Sequence, residues 1–355
     1  MAYTNMTRRA VFQGAAGLAT WTALAGLPLA TTAARAQSAA PYPILPQGRL
    51  IPGAPQDYTA AMLSGGPGKD GIPSIDDPKF WNVEDTNDFL DDGDIVFGLV
   101  ENGVARAYPQ RILVWHEIVN DVVGGVGLAV TYCPLTGTAI AFERGQTEFG
   151  VSGRLVNSNL IMFDRDTDTW FPQVLAVGIK GPHIGQALVE RPIVWTTWAR
   201  WKAAFPNTEV LSTETGFFRN YGVDPYGAYN AVSGYYVPQS STLFPLMNDD
   251  DRYPQKTVFV SARTPNASVA FNLDSLREEN RLETEVNGEV FTSIYDERLD
   301  TGYIFRGKTS ASPTINGASA YDVSWSGGEA LEPIDAFQAM WFAMTAFYPE
   351  TKVHG

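Results

Sequence analysis

The feature that most constrains the fold of this chain is a residue pattern that recurs at a constant spacing. Four positions are each followed by a similar residue 163 positions later: Tyr108 by Phe271, Leu113 by Leu276, Gly125 by Gly288, and Tyr132 by Tyr295. Because this spacing stays constant across turn-rich sequence, it indicates two segments with the same order of elements. The sequence therefore predicts two related units, at about 94–143 and 257–306.

The first unit is predicted to contain β-strands and one helix. Asn102-Gly103 is typical of a tight hairpin turn, and Pro109 suits the first position of a helix whose apolar spacing continues through Asn120. The predicted elements are strands at 94–100, 104–108, 126–132 and 138–143 and a helix at 109–120. We expect an α+β, β-rich fold in which two related ββαβ units are packed into one large domain with an extended N-terminal arm.

Two later apolar runs are also predicted to be helical. Residues 195–206 form a short amphipathic pattern that ends at Pro206, and residues 334–348 are strongly apolar. The second run is too short to cross a membrane. We expect it to be central to the packing of the domain.

The first 36 residues are typical of an export signal. Arg8-Arg9 precedes a mildly apolar run, and Ala34-Arg35-Ala36 supplies small residues for cleavage, an order that indicates the twin-arginine route. We therefore predict a signal peptide at 1–36, a Pro- and Gly-rich extended arm at 37–87 and a single β-rich domain at 88–355. The mature chain is expected to be periplasmic or secreted, soluble and without a transmembrane segment.

The charge of the chain excludes some partners. The formal net charge is −14, and removal of the three arginines of the signal leaves 22 basic against 39 acidic residues, or −17. Such a surface repels phosphate backbones and anionic lipids, so nucleic acid and membrane surfaces are not expected partners. A small molecule or an envelope protein remains as the partner class.

Cys133 is the only cysteine, and it lies seventeen positions after His116 in a chain with three histidines. A single cysteine excludes an internal disulfide, whereas a thiolate beside an imidazole can act as a metal ligand or as a nucleophile. One hypothesis is a metal site for copper or zinc, with Cys133 and His116 as ligands and Met162, His183 or Glu117 completing the set.

Two other hypotheses for these residues stay open. In a thiol enzyme, Cys133 would attack a substrate and His116 would accept its proton, with Glu117, Asn120 or Asp164 orienting the imidazole. In the third hypothesis Cys133 is a buried small apolar residue, and the protein is a binding or envelope-structural module without catalysis. The sequence does not decide whether any reaction is catalysed.

Several short motifs, read together, resemble a known family. The motifs are 116–121, Tyr132-Cys133-Pro134-Leu135, 152–155, 162–165, Trp170 with Gln173, 341–343 and 347–349. In combination they resemble the bacterial and archaeal family called domain of unknown function 3179, which has no established activity. The resemblance implies an exported or envelope-associated β-rich domain. Many members carry a second cysteine where this chain has Thr136, so a dithiol redox pair is not expected here.

Aromatic residues are concentrated between the two predicted units. They are Phe217, Phe218, Tyr221, Tyr226, Tyr229, Tyr235 and Tyr236. Such a run could line a cleft for a carbohydrate or another ligand, or pack within a loop.

Overall fold

Short strands, most of them antiparallel, make up most of the regular structure in the computed structural model of the chain, which describes residues 39–86 and 89–354. All of these residues belong to one compact unit. The predicted signal peptide at 1–36 lies outside the described residues. The chain is therefore β-rich with few helices, in agreement with the α+β class expected from the sequence.

The helices are short. The α-helices are α1 (Pro55–Ala60), α2 (Gln110–Leu113), α3 (Trp198–Ala204), α4 (Leu273–Glu279) and α5 (Trp341–Phe347), and 3-10 helices lie at Val83–Thr86 and Ala320–Asp322. None of the helices in the described ranges is long and apolar enough to span a membrane.

The strands before residue 200 are β1 (Leu63–Ser64), β2 (Phe80–Trp81), β3 (Ile95–Glu101), β4 (Val104–Pro109), β5 (Ile118–Val123), β6 (Val126–Cys133), β7 (Thr138–Glu143), β8 (Phe149–Val156), β9 (Asn159–Asp164), β10 (Trp170–Pro172), β11 (Glu190–Arg191) and β12 (Val194–Thr197). The later strands are β13 (Glu209–Leu211), β14 (Gly227–Tyr229), β15 (Val232–Gly234), β16 (Val258–Arg263), β17 (Ser268–Asn272), β18 (Arg281–Val286), β19 (Glu289–Asp296), β20 (Thr301–Arg306), β21 (Ser312–Ile315), β22 (Val323–Ser326), β23 (Glu332–Ile334), β24 (Ala336–Met340) and β25 (Lys352–His354).

These strands form several small sheets. The strand orders are β12-β3-β4-β13-β2, β11-β7-β6-β5, β1-β8-β9-β10, β24-β16-β17-β25 and β18-β19-β20-β23, with two-stranded hairpins β14-β15 and β21-β22. Neighbouring strands are antiparallel except that β13 lies parallel to β4 and β25 lies parallel to β17. Strands β12 and β13 run in the same direction within one sheet, as do β24 and β25 within another, and α3 and α5 are the helices of the crossovers that join them.

The turn predicted from Asn102-Gly103 is confirmed, and a Gly-Gly pair forms a second turn of the same kind. Asn102 and Gly103, with φ of 48° and 80°, join β3 to β4, and Gly124 and Gly125, with φ of 54° and 86°, join β5 to β6. Two successive positive φ angles are the geometry of the hairpin turn whose twist matches that of the strands.

The predicted helix at 109–120 is wrong beyond Leu113. Residues Ile118–Val123 form β5, which pairs with β6 on one side, and the Asn120 N–H donates to the Ile75 carbonyl at 2.8 Å on the other. These ladder bonds to distant residues outweigh the local helical spacing. Each unit expected as ββαβ therefore has three strands after its helix.

The other two predicted helices are half right. The first residues of the run at 195–206 belong to β12, which pairs with β3. In the run at 334–348, residues of β24 pair with β16. The helical part is limited to Trp198–Ala204 in the first run and to Trp341–Phe347 in the second, as α3 and α5. In both cases a strand completes the edge of a sheet before the helix begins.

Candidate functional site

Cys133 lies at the end of β6 in an apolar cluster, with 1% of its surface exposed. Its thiol donates to the Ser158 carbonyl at 3.7 Å and accepts the Leu160 N–H at 3.4 Å. Burial, with a smaller contribution from the Glu117 carboxylate, raises the pKa of the Cys133 thiol to about 11. The thiol is therefore protonated at neutral pH and holds the β8–β9 turn against β6.

His116 is fully buried, and both of its ring nitrogens are hydrogen-bonded. Nδ1 lies 2.7 Å from the Pro73 carbonyl, and Nε2 lies 2.7 Å from the Tyr221 hydroxyl. Because a carbonyl oxygen can only accept, Nδ1 carries the proton and the Tyr221 hydroxyl donates to Nε2. Burial lowers the pKa of His116 to about 4, so the imidazole is neutral and connects two distant segments.

Glu117 follows in a left-handed conformation, with φ of 59°. Its N–H donates to the Leu113 carbonyl at 2.7 Å, and its carbonyl accepts the Tyr132 N–H at 2.8 Å. The side chain is only 7% exposed, and burial raises the pKa of Glu117 to about 8. The carboxyl group is therefore largely protonated at pH 7.

The remaining candidate metal ligands lie in the core. Met162 is fully buried in the same apolar cluster as Cys133, whereas the buried His183 ring packs edge-on against Tyr42 at 5.8 Å. Neither His183 nitrogen has a hydrogen-bond partner among the described residues. Across residues 39–86 and 89–354, no three His, Cys, Asp or Glu side chains are grouped so as to hold a metal ion. The copper or zinc site stays a prediction from the sequence.

The candidate orienting groups have structural contacts of their own. The Asn120 amide donates to Asp76 at 2.6 Å and to the Phe149 carbonyl at 2.9 Å. Asp164 accepts from the N–H and the hydroxyl of Thr167, each at 2.6 Å. In the described part of the chain, no hydrogen bond or ring contact links His116 to Cys133, so the thiol-enzyme hypothesis also stays a prediction.

Gln173, one of the residues of the quoted motifs, lies at the centre of a buried polar network. The Gln173 amide donates to the Thr131 hydroxyl at 2.8 Å and to the Thr138 carbonyl at 3.0 Å. Its oxygen accepts from Asn159 at 3.0 Å, and Asn159 also donates to Thr136 at 3.2 Å. All five side chains are buried. Buried amides with satisfied hydrogen bonds fix the register of the strands that they join.

A separate cavity of about 440 Å³, the central cavity, offers accessible groups. Its aromatic wall consists of Trp195, Tyr229 and Tyr236, where Trp195 and Tyr229 meet edge to face at 5.0 Å and the two tyrosines stack at 3.9 Å. Trp195 is held by pairing of β12 with β3, which places its ring 4.9 Å from that of Phe97. This volume lies within the range of small-molecule sites.

Polar groups converge on the same cavity. Arg277 forms a bidentate pair with Asp300 at 2.8 and 2.9 Å and contacts Asp274 at 2.6 Å. The buried Thr196 hydroxyl has no hydrogen-bond partner in the described ranges. Lys256 also lines the cavity, and its ammonium donates to the Tyr235 carbonyl at 2.6 Å. Burial lowers the pKa of Lys256 to about 8.

Comparison with known proteins adds one match. A family model described as Protein of unknown function (DUF3179) matches residues 69–351. The chain belongs to the DUF3179 family. No curated protein and no solved structure matches the chain.

The match to DUF3179 begins at residue 69, 47 residues before His116, the first residue of the motifs that carry the resemblance. The structure gives a physical reason, because residues 73–76 contact residues 116–120 directly. Besides the Pro73 contact with His116, the Ile75 N–H donates to the Ile118 carbonyl at 2.9 Å. This part of the predicted arm is thus joined to β5.

Sequence reasoning missed most of the central cavity of this DUF3179 chain. Tyr229 and Tyr236 belong to the noted aromatic run, but Phe218 of the same run is 98% exposed. Trp195 and Gln338 lie in runs that were predicted to be helical, and their strand conformation turns them towards the cavity. The available signal was the strand-like alternation of each run just before its helix.

Proposed function

We propose that this DUF3179 protein is a binding module that takes a small molecule in the central cavity. The observation that carries the proposal is the cavity of about 440 Å³, in which an aromatic wall faces polar groups with free hydrogen-bonding capacity. Small-molecule sites combine apolar walls with a few placed polar groups in this way.

The contacts of the candidate reactive groups support binding over catalysis. The Cys133 thiol and the His116 nitrogens are engaged with buried backbone and side-chain partners. A nucleophile or a ligand would have to break these bonds before it could act. In the cavity, Thr196 and Arg277 keep hydrogen-bonding groups that need no such rearrangement.

We also propose that the two predicted units are copies of one ancestral unit. Supporting this, α2, β5, β6 and β7 are followed by α4, β18, β19 and β20, each starting 163 positions later. Leu113 and Leu276, at that spacing, lie in separate apolar clusters. The crossovers β12-α3-β13 and β24-α5-β25 also correspond, because α5 and β25 start 143 positions after α3 and β13.

The central cavity receives equivalent positions from both proposed copies. Ile95 and Val258 differ by 163 positions, as do Gly137 and Asp300, and Trp195 and Gln338 differ by 143. A cavity between two related halves is a common place for a binding site. Export by the twin-arginine route to the periplasm or beyond is part of the proposal, and its support is the sequence of residues 1–36.

The test uses ligand-observed NMR on the full mature chain with a mixed panel of neutral sugars, nucleosides, amino acids and aromatic acids. Thr197→Trp fills the cavity, and Thr284→Trp places the same side chain on a half-buried strand position outside it. We expect at least one class to bind the unmodified protein and Thr284→Trp but not Thr197→Trp. If no compound distinguishes the two variants, the binding function is wrong.

A further inference from the structure

The charges that line the central cavity cancel. Asp274 and Asp300 carry negative charge, and Arg277 and Lys256 carry positive charge. Arg277 lies between the two carboxylates, and the Lys256 ammonium donates to the carbonyls of Tyr235 and Ser241 and to the Ser240 hydroxyl. This balance contrasts with the net charge of −14 of the whole chain. A charged ligand would add a net charge that no group of the cavity balances, so the cavity suits a neutral molecule.

The aromatic wall offers single faces rather than a slot between parallel rings. Tyr229 and Tyr236 stack on each other at 3.9 Å with an angle of 19°, so each already uses one face. Trp195 meets Tyr229 at 80°. A planar heterocycle makes its largest stacking contact when it lies between two parallel aromatic rings. A saturated sugar ring packs its C–H groups against a single aromatic face.

The polar side of the cavity requires partners that both donate and accept. Arg277 uses three of its five N–H groups on the two aspartates, so two remain for a ligand. Asp274 and Asp300 retain lone pairs that accept hydrogen bonds, and Gln239 on the rim provides both kinds of group. Two neighbouring hydroxyl groups of a ligand can each donate and accept a hydrogen bond. They can therefore pair with the two N–H groups of a guanidinium or with the two oxygens of a carboxylate.

Resting on the proposed binding function, we infer that the ligand of the central cavity is a neutral mono- or disaccharide. The sugar ring lies on the aromatic wall at Trp195, and its hydroxyls bond to Arg277 and its two carboxylate partners.

The test compares binding of named sugars by isothermal titration calorimetry. The probes are glucose, galactose, N-acetylglucosamine, maltose and cellobiose, with glucuronic acid and glucosamine as charged analogues and adenosine as a planar ring. At least one neutral sugar binds the mature chain at least about tenfold more tightly than its charged analogues and adenosine. Trp195→Ala weakens that binding about tenfold or more, whereas Trp325→Ala leaves it unchanged. Trp325 is a matched control because it also makes an edge-on ring contact, 5.1 Å from Phe305, outside the cavity.

A second variant covers the case in which Trp195→Ala does not fold. The Asp274 side chain is 78% exposed, so Asp274→Ala preserves the fold while it leaves a net positive charge in the cavity. The preference then shifts from the neutral sugar towards glucuronic acid by about tenfold.

The outcomes separate this inference from the proposed function. Binding of a non-sugar compound in the cavity, with no sugar bound, overturns the ligand class and leaves the binding function standing. If a sugar binds and neither Asp274→Ala nor Trp195→Ala changes that binding, the assignment of the sugar to the central cavity is overturned. Absence of any cavity-dependent binding across both panels overturns both proposals.

Discussion

The buried carboxyl group of Glu117 makes the stability of the fold depend on pH in a defined window. Its side chain is 7% exposed, and burial is the cause that raises its pKa from 4.5 to about 8. Between these values the folded state keeps a proton that the unfolded state has lost. The free energy of unfolding therefore falls as pH rises through this window.

The expected magnitude follows from the two pKa values. Each pH unit inside the window costs about 1.4 kcal/mol, and the dependence weakens near the folded pKa. From pH 6.5 to 8 the loss for Glu117 is about 1.5–2 kcal/mol. Glu117→Gln removes this titration, so its free energy of unfolding should not fall over the same range.

Other shifted groups titrate mainly outside this range. The pKa of His116 is lowered to about 4, so its titration raises the free energy of unfolding with pH mainly up to about pH 6.5. The pKa of Asp335 is raised to about 6, so its titration changes the free energy of unfolding mainly below pH 6.5. The lowered pKa of Lys256, about 8, begins to affect stability at the upper end of this range, and the raised pKa of Cys133, about 11, acts above it. Between pH 6.5 and 8 the remaining titration of His116 and of Lys256 weakly opposes that of Glu117, so the difference between the unmodified chain and Glu117→Gln isolates Glu117.

The assay is urea unfolding at several pH values from 6.5 to 8, on the mature chain, Glu117→Gln and Glu278→Gln. Glu278 is exposed on α4, so its variant should keep the pH dependence of the unmodified chain. An unmodified chain whose stability does not fall across this range would refute the reasoning. Glu117→Gln with the same slope as the unmodified chain would refute it as well.

Three further predictions concern buried contacts. Gln173→Leu should lower the free energy of unfolding by about 3 kcal/mol in the urea assay, because the buried partners of Gln173 lose their hydrogen bonds. The control Gln239→Leu, on the exposed rim of the cavity, should change the free energy of unfolding by less than about 0.5 kcal/mol. Tyr221→Phe should lower the free energy of unfolding, measured with urea or by thermal unfolding, by about 1–3 kcal/mol, because Nε2 of His116 loses its hydrogen-bond donor. An unchanged free energy of unfolding would contradict the assigned tautomer of His116. The Cys133 thiol should react with Ellman's reagent at least about 100-fold more slowly in the native chain than in denaturant, and rapid native labelling would show that it is accessible.

Local signals predicted much of the fold. The hairpin at Asn102-Gly103 and the strand that ends at Cys133 are where the sequence placed them, because turn residues and alternation act within a few positions. The helix predicted through Asn120 failed because Ile118–Val123 pairs with β6 and with the backbone at Ile75, and pairing with distant residues does not show in local spacing.

The candidate site shows the same division. The sequence singled out Cys133 and His116 by their scarcity, but their partners, Ser158 and Tyr221, lie 25 and 105 positions away. Trp195 lay in a run that was read as a helix, although it lines the central cavity. Scarcity identifies reactive side chains, whereas only their neighbours decide whether these are free to react.

The sequence by itself determined the β-rich class, the hairpin turns and the spacing of 163 positions between the two segments, because each depends on residues close together or on a repeated pattern. The tertiary structure alone decided that the thiol and the imidazole are held in the interior and that Trp195, Arg277 and Gln338 face one cavity. These outcomes require segments far apart in the chain to pack together. The free energy of that packing comes from buried surface and hydrogen bonds shared between segments, which no single stretch of sequence contains.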